Sequence, residues 1–386
     1  MSSAEKEGKG ISRRGFLTGT GAFLLLGAAG LGRWDALESL LNPATGANSR
    51  GIRPPDVEVG HPFTVFWMTD TQYLSETNPA LFSNMTGWIA KNWTALNGKM
   101  VVHTGDLVQT GDLLQEWVNA DAAMKVLRDN GIPYLWCAGN HDDIIQDDPT
   151  AGWAGSQFDS FNPTVVSSKV NGVSYAKWAG DYRSGMNTAV AFSAGGLKFL
   201  TVNIEWNAPP DALAWFEKLL DSQEYASHYV IVAPHAYEDA FGSTNDARWG
   251  PVLEDFRQSL TDIMDRHTGN IFLTLNGHFA TDSGYHTPKP VNGRNQLMFD
   301  RQESTDNPND PLDSSVRDVL KVGGATVTTL VFDTVQNTVN VSTYDVSRGR
   351  YRLGPLDLYS FPMLPDRDLE GLGPDVPTPS QVVSVG

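Results

Sequence analysis

Metal-binding residue types stand directly after short apolar runs at five places in this 386-residue chain. Asp70 and Gln72 follow Phe63-Thr64-Val65-Phe66-Trp67-Met68, and Asp106 follows Lys99-Met100-Val101-Val102-His103. Asn140, His141 and Asp142 follow residues 134–138, His235 follows residues 229–233, and His278 follows residues 271–275. Carboxylates, amide carbonyls and imidazoles are the donors that hold hard or borderline divalent ions. Strand C-termini in an open α/β sheet face one edge, so five separate loops can converge on one site. Gly105, Gly139 and Gly277 let the backbone turn sharply beside such an ion.

The elements that must position these residues are legible as apolar runs. Residues 63–68, bounded by Pro62 and Asp70, read as a buried strand. Residues 99–103, 134–138, 197–204, 229–233 and 271–275 read the same way. Leu114, Trp117, Val118, Ala122 and Val126 give residues 113–129 an apolar helical face. A second helix carries Leu213, Phe216, Leu219 and Leu220, and a third covers residues 252–266. Residues 325–332 and 338–344 flank Asp333-Thr334-Val335-Gln336-Asn337, a hairpin signal. Strands alternating with helices before a terminal hairpin predict a layered α/β sandwich. Residues 143–187 are polar and lack periodicity, which predicts a long excursion over the site. With residues 236–250 they are the expected specificity elements. The folded domain is expected over 62–362, after a linker at 48–61 and before an extended or disordered tail at 363–386.

The series Asp-x-x, Gly-Asp, Gly-Asn-His-Asp, a lone His and Gly-His-x-x resembles the calcineurin-like metallophosphoesterase superfamily over residues 62–345. Asp70-Thr71-Gln72 resembles the first block of some of its bacterial branches. The resemblance implies a four-layer α/β/β/α sandwich with two metal ions at the sheet edge. It implies Asp106, Asn140, His235 and His278 as ligands of the second ion. The first ion would take Asp70, Asp106 as a bridge, and the last residue of Gly-His-x-His. Here the chain departs from the pattern. Gln72 replaces the usual His, and Gly277-His278-Phe279-Ala280 ends in Ala280. Gln72 offers one neutral carbonyl oxygen and Ala280 offers nothing, so the first site should favour a hard ion with water completing its shell. His286, six residues beyond Ala280, is a candidate replacement, against the plainer reading of a surface or core histidine.

By position, the resemblance gives His141 the role of leaving-group acid. Gln109 matches the residue that orients it, through its side-chain carbonyl. Asp142 is a compensating carboxylate or a turn cap. The implied activity is hydrolysis of a phosphomonoester or phosphodiester by metal-bound hydroxide, with one or two divalent ions per chain (Mn, Fe, Zn or Ca). The alternative is an exported metal-binding pseudoenzyme or ligand-binding protein on the same fold, favoured by Gln72 and Ala280.

Other classes are excluded by composition and motif. A formal net charge of −17 repels polyanions, so no stable nucleic-acid binding is expected. The single cysteine, Cys137, excludes an intramolecular disulfide and reads as a buried thiol. There is no Gly-x-Ser-x-Gly elbow and no Walker-type loop. His103 reads as a packed strand histidine, Asp112 as a helix cap, and His228 and His267 as surface residues. Ser12-Arg13-Arg14-Gly15-Phe16-Leu17, followed by a soft apolar, Gly-rich stretch, resembles a twin-arginine export signal. Residues 1–47 are therefore expected to engage the twin-arginine translocase and direct the chain to the periplasm or outside. An uncleaved membrane anchor is the alternative.

Overall fold

Every residue of Phe63–Met68 (β1) is buried, as a strand covered on both faces requires. The computed structural model describes residues 62–142, 153–239, 242–244, 250–279, 285–286, 290–302 and 324–364. After β1 come α1 (Gln72–Thr77), α2 (Pro79–Asn92), β2 (Gly98–His103), α3 (Leu114–Asp129) and β3 (Tyr134–Trp136). Then follow α4 (Pro163–Val170), β4 (Ala176–Tyr182), β5 (Asn187–Ala194), β6 (Leu197–Ile204), α5 (Pro210–Leu220) and β7 (Tyr229–Pro234). Next are α6 (Gly250–Arg266), β8 (Ile271–Asn276), β9 (Tyr285–His286) and β10 (Asn295–Met298). The series ends with β11 (Thr326–Asp333), β12 (Thr338–Asp345), β13 (Arg350–Tyr351) and β14 (Leu358–Pro362).

The strands form two seven-stranded sheets. The first runs β13-β12-β11-β1-β2-β3, with β14 also on β12; the second runs β4-β5-β6-β7-β8-β10-β9. Aromatic side chains join them. Phe63 stacks on Phe332 within the first sheet at 5.1 Å and meets Phe199 of the second at 5.3 Å. Period-two alternation then turns Phe66 to the opposite face, where Trp88 and Trp93 lie 6.3 and 5.6 Å away. Leu213 and Phe216 of α5, with Leu260 and Met264 of α6, bury against Leu200, Val202, Val230 and Val232 of the second sheet. The layers are thus α/β/β/α, as the resemblance implies.

The terminal hairpin is in register from Thr326↔Asp345 to Asp333↔Thr338. Its turn is held by Asp333 Oδ1, which accepts from the backbone of Val335 and Gln336. Packing continues past Pro362: the Met363 and Leu364 amides donate to the backbone and side-chain oxygens of Asn337.

The expected excursion at 143–187 is different in the structure. Residues 143–152 lie outside the described residues, but from Trp153 onward the segment is packed. Trp153 meets Trp117 at 5.1 Å, and Phe161 meets Trp136 at 5.8 Å. The segment then forms α4 and the edge strand β4, antiparallel to β5. Its burial rests on a few large aromatic rings, which leave no periodic trace.

At one edge the two sheets are stitched together. The Trp206 amide donates to the Ala138 carbonyl at 2.9 Å. The Asn203 side chain donates to the His103 carbonyl at 2.7 Å. Within the sheets, the His235 amide donates to the Ile204 carbonyl, the Gly277 amide to His235 and the Asp70 amide to Gly105, at 2.9, 3.0 and 3.1 Å. All these residues lie at or just beyond strand C-termini, so the loops after six strands are held to a common edge. Cys137 is buried there, and burial pushes its thiol well up. Among the described residues, no helix is long and apolar enough to cross a membrane.

Candidate metal centre

Three donor atoms face one another at the stitched edge. His235 Nε2 lies 3.0 Å from Asn140 Oδ1 and 3.2 Å from His278 Nδ1, which lies 2.8 Å from the same Asn140 oxygen. Asp106 Oδ1 is 3.5 Å from His235 Nε2. Ligand atoms about 2.0–2.1 Å from one ion are separated by roughly 2.9–3.4 Å, so this spacing suits shared coordination.

The proton positions agree. His235 Nδ1 lies 2.8 Å from the Thr104 carbonyl, which can only accept, so this nitrogen carries the hydrogen and Nε2 presents its lone pair. Burial pulls His235 down to about 3, against the Thr104 bond that raises it. Burial and the neighbouring His235 likewise pull His278 well below the usual histidine range. Both imidazoles are therefore neutral, the form that ligates.

Carboxylates make the complementary case. Burial raises Asp70 well above the usual range, and the charges of Asp300 and Asp106 raise it further. Burial raises Asp106 too, with Asp300 adding to it against a bond from His141. A divalent cation relieves such crowding of buried negative groups. Asp106 has an oxygen for each half of the centre: Oδ1 faces His235 and accepts from the His141 amide, whereas Oδ2 accepts from Gln72 Nε2 at 3.1 Å. Gln72 is 1% exposed, and its Oε1 has no hydrogen-bond partner. Such an orphaned carbonyl, beside buried carboxylates, suits a cation. The residues present fit a divalent metal.

Local backbone explains how they fit so closely. Asp70, Asp106 and His278 have φ of 50, 54 and 72°, each in the left-handed region and each a cost of about 1–3 kcal/mol. The His278 amide donates to both Asp70 oxygens at 3.1 Å. A Cβ on Gly139 would lie 2.0 Å from Asp106 Oδ1, and one on Gly277 would lie 2.0 Å from Asp70 Oδ2. Only glycine lets these carboxylates approach the neighbouring loop.

The structure thus brings Asp70, Gln72, Asp106, Asn140, His235 and His278 together. His141 stands beside them, half-buried, its ring Nδ1 2.9 Å from the Gln109 carbonyl. That acceptor is main-chain, in contrast to the expected side-chain amide; Gln109 Oε1 is buried without a partner. Asp142 points elsewhere. Its carboxylate is fully buried and accepts from the amides of Leu107, Val108 and Gly139, tying the Asp106 loop to the Asn140 loop. Burial, and then Asp106, raises it to about 8. His103 is packed in β2, with Nε2 3.0 Å from Thr71 Oγ1. His228 and His267 precede β7 and β8, at the opposite strand ends. Ala280 lies outside the described residues; His286 pairs with Leu297 on β9.

Two neighbours escaped the sequence reading. Trp206 stands 4.3 Å, ring to ring, from His278. Asp300 is fully buried and acts on both Asp70 and Asp106. Each had the signal used elsewhere, a polar or aromatic residue just past a strand, at Ile204 and at Met298.

The profile of the calcineurin-like phosphoesterase family matches residues 63–278, and the chain belongs to this family. The match spans the edge just described, from β1 to His278. Among curated proteins, the chain is similar to the uncharacterized protein YvnB of Bacillus subtilis (strain 168), 27% identical over 291 residues. The aligned part is 73% of this chain and 20% of YvnB, so the chain spans about a fifth of that relative's length. Among solved structures it is similar to purple acid phosphatase PPD1 from yellow lupin (Lupinus luteus), with a TM-score of 0.48 and 15% identity over 80% of this chain and 55% of that one. GAP50, the anchor in the inner membrane complex of Plasmodium, gives 0.45 and 11% over 78% and 89%.

Proposed function

We propose that the protein hydrolyses a phosphomonoester or phosphodiester with the help of bound divalent ions. The observation that carries this reading is the convergence of neutral His235 and His278 with Asn140 and Asp106 on one small volume, inside a domain of the phosphoesterase family. Bound ions would supply Lewis acidity toward the phosphoryl oxygens and lower the pKa of a water.

The chain's own residues divide the remaining work. Asn140, His141, His278 and Trp206 are half-buried, whereas Asp70, Asp106 and His235 are buried, so the former group forms the side that a substrate approaches. The Gln109 carbonyl holds the His141 ring by Nδ1–H, which leaves Nε2 to deliver a proton to the departing alkoxide. Asp142 keeps the two loops fixed to each other.

Turnover of p-nitrophenyl phosphate and bis-p-nitrophenyl phosphate, by protein supplied with Mn²⁺ or Zn²⁺, tests the reading. Full metal occupancy without turnover of either ester would overturn it in favour of the metal-binding pseudoenzyme that Gln72 and Ala280 suggest. Residues 1–47 lie outside the described residues; the Arg13-Arg14 pair supports their proposed role as a twin-arginine export signal.

A further inference from the structure

Asp70, Gln72, Asp106 and Asp300 are all buried, and Asp300 lies far outside the motif series. β10 pairs in parallel with β8, with Met298 opposite Asn276. Asp300, two residues past Met298, is thereby level with His278, two residues past Asn276, whose amide holds the Asp70 carboxylate. The Phe299 amide continues the ladder to the Asn276 carbonyl at 3.1 Å.

Both neighbours pin Asp300 in place. Phe299 packs on Trp67 of β1, with ring centroids 5.1 Å apart. Arg301 lies over Phe299 at 4.2 Å and donates to Asp357 at 2.6 Å. The Asp300 oxygens accept from the amide and side chain of Gln302, each at 3.0 Å, which fixes the carboxylate's orientation. Asparagine would serve a purely structural turn here without placing a third charge beside Asp70 and Asp106. An independent feature points to a ligand: the Gln72 amide, 1% exposed, donates to Asp106 and keeps an unpartnered oxygen.

We propose that Asp300 supplies the donor missing at Ala280, making the Asp70 half an all-oxygen site of Asp70, Gln72, Asp106 and Asp300 for a hard divalent cation. The two halves then differ in kind. Imidazoles on the His235 side suit zinc or iron, whereas carboxylates and an amide on the Asp70 side suit manganese, magnesium or calcium. The inference rests on the metal-dependent reading above, but does not require turnover.

Mn²⁺ titration of the full chain, followed by calorimetry and electron paramagnetic resonance, tests it. Wild type should bind two ions. Asp300→Asn should keep the ion held by His235 and bind the other at least about 10-fold more weakly. His235→Ala should show the converse loss. A folded Asp300→Asn protein that binds both ions as tightly as wild type overturns the proposal and leaves the proposed function intact. A wild type that binds no divalent ion overturns both. If Asp300→Asn does not fold, anomalous scattering from Mn²⁺-soaked wild-type crystals decides. Manganese within coordination distance of the Asp300 carboxylate supports the assignment, and two manganese peaks that both leave Asp300 uncoordinated refute it.

Discussion

His141 is held at two points, by its amide on Asp106 and by its ring on the Gln109 carbonyl. In its proposed role, a proton donor and not a ligand, it should be removable without unloading the centre. His141→Ala should leave metal content unchanged and slow alkyl phosphate esters by about 10²–10⁴-fold. Nitrophenyl esters should suffer less, because nitrophenolate leaves without a proton; equal losses on both would refute the role. His103 is a second histidine with a testable charge state. Burial, then His235, pulls it from 6.5 to about 3. Its folded pKa is below its unfolded one, so the unfolded chain takes up a proton that the native state refuses. Stability is unaffected above 6.5 and declines as pH falls toward 3, by up to about 1.4 kcal/mol per pH unit. Urea midpoints at pH 7 and pH 4 should therefore converge more in His103→Gln than in wild type, where this histidine adds its own loss. At this scale the residues that gather at the edge were readable because the metal-binding chemistry that singled them out is in the side chain. The His141 acceptor was not, because a main-chain carbonyl leaves no mark on residue identity. Asp300 was missed for a different reason: the strand before it, Asn295-Gln296-Leu297-Met298, is half polar.

Strands β1, β2, β7 and β8 were legible because they are continuous apolar runs buried throughout, or nearly so. Helix α2 and strand β10 were not. Pro79–Asn92 mixes its buried Phe82, Met85 and Ile89 with polar residues, and Asn295 of β10 is buried because it donates to Pro362 sixty-seven residues away. Such tertiary bonds cannot be read from a local pattern. Glycines between element and ligand were read as turn-formers, but at Gly139 the decisive property is the missing side chain. Gly139→Ala should displace Asp106, since its Cβ would meet a carboxylate oxygen at 2.0 Å. The expected result is a protein with wild-type circular dichroism and markedly lower metal content by elemental analysis. Unchanged metal content would show that the loop can yield without moving the carboxylate.

For the whole molecule, the family resemblance carried the layer order, which composition alone could not give. The acidic balance, −17, makes the protein a poor partner for polyanions and is consistent with small phosphate esters as substrates only if bound cations offset the field at the centre. Export is tested at this scale too. Replacing Arg13 and Arg14 together by lysine should leave the protein inside the cell, measured by fractionation, with its melting temperature unchanged; normal export of the pair variant would refute the address.

The backbone bonds that join the loops at this edge, within each sheet and between the two, have a consequence for motion. Amides on loops ordinarily exchange their hydrogens with solvent through openings that cost almost nothing. The amides of Asp70, Trp206, His235 and Gly277 are past strand ends, yet each donates to the backbone of another loop or strand end. They should be protected from deuterium to nearly the same degree as the core strands. Native-state exchange followed by mass spectrometry measures this directly. Protection at these four positions means that the centre opens only when the sandwich itself does, so that its ligands are as durable as the fold.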